Sequence, residues 1–425
     1  MRCSRSLVSA IVALRSTSSA CRTGSTSGSQ ALQLLLEGPL SQPPAQHRPH
    51  FHELHSRHFN QGALPQAGIL QTLAHLRTTA PDPFAIVKDE LETVSERLRR
   101  SVLTEVPVLS RAASYFFQLG VEGKRLRPTM LLLMASSLSS VVPSTAFLAV
   151  DESPPDQHPK ECRRRQQRIA EITEMIHVAS LLHDDVIDNS DSRRGLAALN
   201  TVLGNKTAIL AGDFLLARAS ITLASLRNVE VIQLLSQVIE DLVSGEILQM
   251  TTSPDQLVSL DHYVRKTFFK TASLMANSCK AIAILGGQPV EVSKLAWDYG
   301  RNLGLAFQLV DDLLDFTGST KSLGKPALND LEAGLATAPV LFAAEEHPQL
   351  RPMILRKFAE PGDVQLAQQL VFDSQGLDKT RSFAAHHAQQ AADVIDAFPP
   401  ASTEHAQKCR EGLMAITSRV LSRTK

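Results

Sequence analysis

Six aspartates fall into two groups that share one spacing along the chain. In each group the carboxylates occupy positions i, i+1 and i+4, which places the first and third on one face of a helix with the second beside them. The two groups are Asp184, Asp185 and Asp188, and Asp311, Asp312 and Asp315. Like charges this close repel one another, and carboxylates buried without partners are very costly, so both groups require cations.

Mg²⁺ matches these carboxylates best. It is a hard ion that prefers oxygen ligands, and proteins usually hold it by one or two carboxylates while water and substrate phosphates fill its other positions. Calcium fits less well, because the spacing lacks the alternating-oxygen loop and the glycine of a calcium-binding hand. The pattern therefore predicts a magnesium site for a diphosphate.

Residues suited to phosphate oxygens accompany both groups along the chain. They are Lys124, Arg127, Arg193, Arg194, Lys266, Lys270, Thr271 and Lys325. An arginine binds phosphate through two parallel hydrogen bonds, and magnesium with such cations stabilises the charge on a departing diphosphate. Its departure would leave a carbocation, which an apolar cavity poor in water protects.

The segments that must position these residues are helical. The first group ends an apolar stretch that begins at Ile172, which favours a buried helix. Because no β-rich segment of comparable length is present, the sequence predicts an all-α fold. Helices are expected from Asp82-Pro83 onward and near 107–119, 129–140, 169–190, 206–226, 229–251, 261–284, 290–317, 334–346, 361–371, 378–397 and 402–422. Gly300 and Gly304, four residues apart, fit ordinary close helix packing.

Composition and charge narrow the classes of protein and of site that this chain can represent. Lys plus Arg and Asp plus Glu are both 43, which gives no support to a nucleic-acid binder. Five scattered cysteines suggest neither a disulfide framework nor a metal site made of cysteines, and a reducing compartment fits best. The uncharged run 128–150 contains several serines and Pro143, which argues against a transmembrane span.

Three segments are expected to lie outside the helical core. Residues 1–36 are rich in Arg, Ser and Thr with no acidic residue, as in a disordered mitochondrial transit peptide for the matrix, and Arg15 interrupts the apolar core that a secretory signal would need. Residues 37–80 are predicted to be a leader or linker, and 81–425 the folded domain. Within that domain, 143–168 is predicted to be an inserted loop with Arg163 to Arg165 solvated.

Several motifs in order resemble the trans-isoprenyl diphosphate synthases, from about Pro81 to the carboxyl end. They are GKRLRP at 123–128, HVASLLHDDVIDNSDSRRG at 177–195, Gly212-Asp213, Lys270-Thr271, SCKA at 278–281, GLAFQLVDDLLD at 304–315 and GLATAPVLFA at 334–343. The match is closest to the catalytic subunits of mitochondrial long-chain (decaprenyl or solanesyl type) enzymes. The resemblance implies a single large helical bundle of the isoprenoid synthase type with a central active-site cavity.

The resemblance also implies a reaction. An allylic diphosphate, farnesyl or geranylgeranyl, ionises with Mg²⁺, isopentenyl diphosphate attacks its C1, and a proton is lost to the released diphosphate, repeatedly, to make the ubiquinone side chain. All six aspartates would bind magnesium, with Lys270 also catalytic. Residues implied to contact the allylic substrate are Arg193, Lys270, Thr271, Gln308 and Lys325; those for isopentenyl diphosphate are Lys124, Arg127, His177 and Arg194.

Two positions depart from the family pattern. Glu122 stands where a glycine usually precedes Gly123-Lys124, and Leu335 stands where many relatives carry a lysine. Both departures concern loop contacts and leave the aspartate groups intact.

Side chains before the first aspartate group are predicted to limit product length. The cavity below the diphosphate would be lined by Ala179 and Ser180, then Ile176 and Ile172. Because the first two are small, the growing chain would not be blocked there, and a short-chain product is disfavoured.

Alternative functions make different predictions. In a short-chain prenyl synthase, a bulky side chain would be expected in the wall of the product cavity. In a non-catalytic regulatory subunit, a damaged aspartate group would be expected. A terpene cyclase would not need GKRLRP or the Arg193-Arg194 pair, because it holds no second diphosphate. Family members are homodimers or hetero-oligomers with a second synthase subunit, and an apolar product would favour peripheral membrane contact on release.

Overall fold

The protein is described by a computed structural model at residues 81–117, 125–139, 159–193, 196–318 and 328–423. The predicted transit peptide, the leader at 37–80 and the loop as far as 158 lie outside the described residues.

The described residues form an all-α fold, as predicted, with one two-stranded hairpin. The elements in chain order are α1 (Pro83–Ile86), α2 (Lys88–Ser101), α3 (Pro107–Ser114), a 3-10 turn (Tyr115–Phe117), α4 (Leu126–Ser137), α5 (Pro159–Ile187), β1 (Ser192–Arg193), β2 (Leu196–Ala197), α6 (Leu199–Leu203), α7 (Asn205–Ala224), α8 (Val229–Met250), α9 (Pro254–Leu257), α10 (Leu260–Thr267), a π-helical segment (Phe268–Ala272), α11 (Ser273–Leu285), α12 (Val290–Thr317), α13 (Asn329–Glu332), α14 (Ala338–Glu346), α15 (Leu350–Leu355), α16 (Asp363–Asp373), α17 (Gly376–Asp396) and α18 (Glu404–Leu421).

The two helices that carry the aspartate groups, α5 and α12, both pack on α11. On one side, Thr173 Oγ1 and Ser278 Oγ lie 2.8 Å apart in a buried hydrogen bond between α5 and α11. On the other, α12 approaches closely because its glycines lack side chains: a Cβ on Gly304 would lie 2.6 Å from Ala272 Cα. Gly300 makes the same close packing against Met275. Helix α11 thereby sets the separation of the two aspartate groups.

Helices α5 and α7 also pack closely against each other. A Cβ on Gly212 would lie 2.2 Å from Nε2 of His183, so only glycine leaves room for that ring. His183 is the residue before the first aspartate group, and its Nε2 lies 3.2 Å from the Ile209 carbonyl oxygen. Gly212 therefore lets α7 support the end of α5.

The predicted loop at 143–168 is wrong at its carboxyl end, because residues 159–168 belong to α5. Arg163 donates two hydrogen bonds to Glu90, at 2.8 and 2.7 Å, and is thus paired with α2. A contact between residues so distant in sequence holds a charged run in a helix, which composition alone does not show. The single helix expected at 261–284 is also interrupted, by the π-helical segment.

One described helix, α7, is long and apolar enough to cross a membrane by length and composition. It packs along α5, and a third of its most apolar stretch is buried (33%). Core helices pass the same test, so this feature by itself is weak support for a span.

Candidate active site

The first aspartate group lies where α5 ends. Asp185 is almost fully buried, 1% exposed, whereas Asp184 is half-buried and Asp188 is exposed. Arg193 on β1 donates from Nε and Nη2 to Asp185 Oδ1, at 2.7 and 2.6 Å. The hairpin that follows α5 therefore folds back and neutralises the middle carboxylate of the group.

The second group lies near the end of α12. Asp312 is 1% exposed and accepts hydrogen bonds from Tyr263 Oη at 2.5 Å and from Gln308 Nε2 at 3.0 Å. Gln308 in turn accepts a hydrogen bond from Thr271 Oγ1 at 3.0 Å. The predicted pair Thr271 and Gln308 is thus brought together, and one of its roles is to orient a buried carboxylate.

The other two carboxylates of the second group are half-buried. Asp311 is paired with Arg423. Asp315 accepts backbone N–H bonds from Asn329 at 3.1 Å and Asp330 at 3.2 Å, at the start of α13. The chain on both sides of the undescribed stretch 319–327 is therefore anchored to this group.

Lys270 and Lys266 lie between the two aspartate groups. Lys270 lies on the π-helical segment. Its Nζ forms an ion pair with Glu246 Oε2 at 2.6 Å and donates a hydrogen bond to Gln249 Oε1 at 3.2 Å. The Lys270 charge acts on Asp184, and Lys266 lies in the field of Asp312, Lys270 and Glu246. Both aspartate groups consequently face one shared, charged space, and a π-helical turn at such a place is common at functional sites.

Burial and mutual repulsion make carboxylates in this space hold protons more tightly than usual. Burial raises the pKa of Asp184 to about 6, with Lys270 opposing and Glu246 and Asp188 adding to the rise. Burial also raises the pKa of Asp312 to about 6, opposed by the hydrogen bonds from Tyr263 and Gln308. For Asp330, burial and the nearby Asp312 and Asp315 raise the pKa to about 8. The raised pKa values indicate that the carboxylates of this site have too little positive charge nearby to offset their burial.

The donor set fits magnesium. In the part of the chain that the structure describes, no three His, Cys, Asp or Glu side chains are placed to enclose a metal by themselves. A magnesium ion that takes only one or two protein carboxylates and completes its shell with water and phosphate does not need such a cage. The raised pKa of Asp184 and the buried Asp185 Oδ2, which accepts no hydrogen bond from described residues, show carboxylate oxygens short of cationic partners.

A separate basic pocket forms where α4, α5 and α12 meet. Arg127 Nη1 lies 3.1 Å from His177 Nε2, so two of the residues predicted for isopentenyl diphosphate lie side by side. The Arg127 guanidinium also lies 6.0 Å from the Phe307 ring centroid, and Arg423 stacks on the same ring at 3.9 Å. Phe307 immediately precedes Gln308, so this pocket adjoins the second aspartate group.

The predicted chain-length residues form a stripe on α5. Ile172, Ile176, Ser180 and Asp184 follow one another at four-residue spacing, which aligns them along one face. Ile176 is 1% exposed and Ala179 0%, and the Ser180 hydroxyl donates to the His177 carbonyl at 2.9 Å. The stripe leads from the aspartate group into the core.

Three predicted substrate residues, Lys124, Arg194 and Lys325, lie outside the described residues. Five residues that the sequence did not single out as site members contact those that it did: Glu246, Gln249, Tyr263, Asp330 and Arg423. Tyr263 lies seven residues before Lys270, two helical turns away, which is the one local signal that points to it. The others come from elements distant in sequence.

A comparison with protein-family models decides the family. The polyprenyl synthetase model matches residues 106–371. That span contains both aspartate groups, Lys270 and the Arg127–His177 pair.

The chain belongs to the polyprenyl synthetase family. As a polyprenyl synthetase it is a prenyltransferase. It is 52% identical over 344 residues to the mitochondrial solanesyl-diphosphate synthase 1 of Oryza sativa subsp. japonica, covering 81% of this chain and 79% of the relative.

Solved structures of other polyprenyl synthetases share the fold. The apo medium/long-chain length prenyl pyrophosphate synthase of Arabidopsis is 46% identical with a TM-score of 0.66, covering 81% of this chain and 100% of that one. A Caulobacter crescentus polyprenyl synthase, complexed with calcium and isoprenyl diphosphate, is 31% identical with a TM-score of 0.68, covering 81% and 97%. The predicted isoprenoid synthase type of helical fold is confirmed.

Proposed function

We propose that this polyprenyl synthetase is a long-chain all-trans-polyprenyl diphosphate synthase. It condenses isopentenyl diphosphate head to tail onto farnesyl or geranylgeranyl diphosphate, repeatedly, with Mg²⁺, and its product supplies the ubiquinone side chain. One observation carries the proposal: two aspartate groups face a shared space that holds Lys266 and Lys270, while Arg127 and His177 form a distinct basic pocket beside it. Two neighbouring anion sites are what a reaction between two diphosphates requires.

The shared space suits ionisation of the allylic diphosphate. The carboxylates at its open edge would hold magnesium; they are Asp184, Asp188, Asp311 and Asp315. Asp185 and Asp312 would lie behind this edge, fixed by their hydrogen bonds. When bound, magnesium neutralises the diphosphate and lowers the cost of its departure. Lys270 and Arg193 add fixed positive charge to the departing oxygens, and Thr271 and Gln308 position them.

The basic pocket suits the second substrate. Arg127 and His177 would hold the diphosphate of isopentenyl diphosphate, and the nearby Phe307 ring excludes water from the reacting carbons. The C3=C4 double bond of isopentenyl diphosphate attacks C1 of the allylic cation. A proton then leaves the new chain for the released diphosphate, which is the nearest base.

The α5 stripe supports a long product. Ala179 and Ser180 place small side chains directly below the first aspartate group, so a growing isoprenoid would pass them before reaching Ile176. A relative at 52% identity is named a solanesyl-diphosphate synthase, which agrees with a long chain. A short-chain synthase is the second candidate within the family, and intact aspartate groups argue against a non-catalytic regulatory subunit.

We also propose a location and an assembly for this enzyme. The same relative is named mitochondrial, and residues 1–36 have the composition of a transit peptide, so we place the enzyme in the matrix. Its long product makes peripheral membrane contact the expected route of release. We further propose that a second synthase chain, identical or homologous, covers the apolar side chains that α7 and α8 expose.

Substitution of one carboxylate in each group tests the proposal. In the full chain, supplied with isopentenyl and farnesyl diphosphate, Mg²⁺ and a second subunit if required, Asp184→Asn and Asp311→Asn should each lower turnover roughly 100-fold or more, as loss of a preorganised electrostatic group does. Exposed Asp373→Asn is the matched control and should retain turnover. Undiminished turnover in both site variants would show that the metal assignment is wrong.

A further inference from the structure

Lys266 is a half-buried lysine in the shared space, and no specific contact has been assigned to it above. Among the described residues its ammonium makes no hydrogen bond and no ion pair within 4.0 Å, although it lies in the field of Asp312 and Asp330. Lys270, four residues later, is already paired with Glu246 at 2.6 Å. The two lysines of this segment therefore differ: one is engaged by the protein, and the other retains its capacity to donate.

Lys266 opens onto a cavity. The cavity measures about 60 Å³ and lies between α8, α10 and the turn at 333–336, with Gln249, Tyr263, Lys266, Gly334 and Leu335 among its walls. Two of these residues connect it to the reaction space: Gln249 accepts a hydrogen bond from Lys270, and Tyr263 donates one to Asp312. The cavity therefore shares two wall residues with the hydrogen bonds that hold Lys270 and Asp312.

The charges around Lys266 favour an anion that carries several charges. A partly buried ammonium without a hydrogen-bonded partner is unstable, and burial with the nearby Lys270 lowers the pKa of Lys266. An anion that touches both ammonium groups would remove their repulsion and satisfy Lys266 at once. A diphosphate has enough oxygens to do so, because each oxygen accepts strong charge-assisted hydrogen bonds.

We propose that Lys266 is a further substrate-binding residue, which holds the diphosphate of the allylic substrate from the cavity side while Lys270 holds it from the side of the first aspartate group. This inference rests on the proposed function and adds a contact to it. The π-helical segment, which begins after Lys266 and contains Lys270, supports it, since the wider turn changes the relative direction of the two side chains.

Leu335 gives a reason why Lys266 on α10 would make this contact with the diphosphate. Many relatives carry a lysine at that position, and here an apolar side chain lines the cavity instead. Lys266 and Leu335 line the same cavity, together with Lys357, so the ammonium of Lys266 faces the space that Leu335 also borders.

Binding of an unreactive substrate analogue tests the contact directly. Farnesyl thiolodiphosphate with Mg²⁺ is titrated into the full chain by calorimetry, and Lys266→Met should weaken its binding about 10-fold or more, as loss of a hydrogen bond to a charged group does. Lys294→Met removes an exposed lysine from α12 and should leave the affinity unchanged. Lys266→Met affinity within twofold of the unsubstituted chain overturns the inference.

A second test restores the positive charge from the opposite wall of the cavity. Lys266→Met combined with Leu335→Lys should recover most of the lost affinity, and circular dichroism checks that both variants fold. If Lys266→Met alone does not fold, the double variant decides: folding with analogue binding supports the contact, and folding without it overturns the contact. An unsubstituted chain that neither binds the analogue nor elongates farnesyl diphosphate would instead overturn the proposed function.

Discussion

The middle aspartate of each group differs from its neighbours in what it touches. Asp185 and Asp312 are each 1% exposed and held by donors from other elements, Arg193 for the first and Tyr263 for the second. The outer aspartates lie at the edge of the shared space. A buried carboxylate is tolerated only when it is hydrogen-bonded, so we expect the middle residues to fix each group in place and the outer ones to meet the metal.

The raised pKa values predict how the stability of the metal-free protein depends on pH. The pKa of Asp184 and that of Asp312 are each raised from 3.8 to about 6, so the folded protein binds these protons more tightly than the unfolded chain. The stability they contribute is complete below the unfolded pKa near 4 and is lost as pH rises through about 6. These two groups alone should lower the free energy of unfolding by roughly 1–3 kcal/mol between pH 5 and pH 8. Asp330, whose pKa is raised to about 8, adds to the fall in the same range.

Urea unfolding with EDTA, at a series of pH values, measures this dependence. Asp184→Asn should make the dependence shallower, because that variant has no proton to lose at this site while Asp312 and Asp330 still titrate. A free energy of unfolding that rises steadily over the same range in the unsubstituted protein would contradict the assignment of these two pKa shifts.

At the scale of elements, the end of α5 is set by its neighbours. Gly212 admits His183 beside Asp184, and Arg193 on β1 returns to Asp185. Along the same helix, Ile176 and Ala179 face the core, so the element that presents the carboxylates also presents the proposed product wall. We therefore propose that one helix couples diphosphate binding to product length.

Ala179→Phe tests that coupling. A phenyl ring below the first aspartate group should obstruct the growing chain and shift the products toward shorter isoprenoids, at an overpacking cost of about 1–3 kcal/mol in stability. Ala179→Ser keeps the side chain small and should leave product length unchanged. Chromatography of dephosphorylated products measures chain length, and an unchanged distribution for Ala179→Phe would remove Ala179 from the wall.

For the whole molecule, α7 and α8 expose apolar side chains that the described chain does not cover. Those more than half exposed are Leu210 (61%), Ile221 (63%), Val229 (70%), Val243 (60%), Ile247 (51%) and Met250 (53%). Large exposed apolar patches mark contact surfaces in soluble domains. Since α8 also carries Glu246 and Gln249, a partner on this face would bear on the helix that positions Lys270.

Ile247→Glu tests the assembly. A carboxylate at the centre of an apolar interface should weaken association by at least about 10-fold, because its burial has no compensating partner. Val290→Glu, on the exposed start of α12 (79%), is the matched control and should leave assembly unchanged. Sedimentation of the full chain, alone and with a second subunit, reports the change. Equal association of Ile247→Glu and the unsubstituted chain would exclude this face.

Sequence by itself determined the features that depend on local spacing. The two aspartate groups, the helices that bear them and the buried helix after GKRLRP are all readable from period and residue type, because helical geometry links neighbours along the chain. The family resemblance supplied the roles of those residues. None of this required knowledge of which helices touch.

Only the tertiary structure decided which side chains complete the site. Arg423 lies 112 residues from Asp311, and Tyr263 lies 49 from Asp312, so no local pattern joins them. The Arg163–Glu90 pair, 73 residues apart in the sequence, likewise stabilises a helix in a stretch whose composition is typical of a loop. Burial and charge pairing depend on the packing of distant elements, and it is this packing that left Lys266 facing an open cavity.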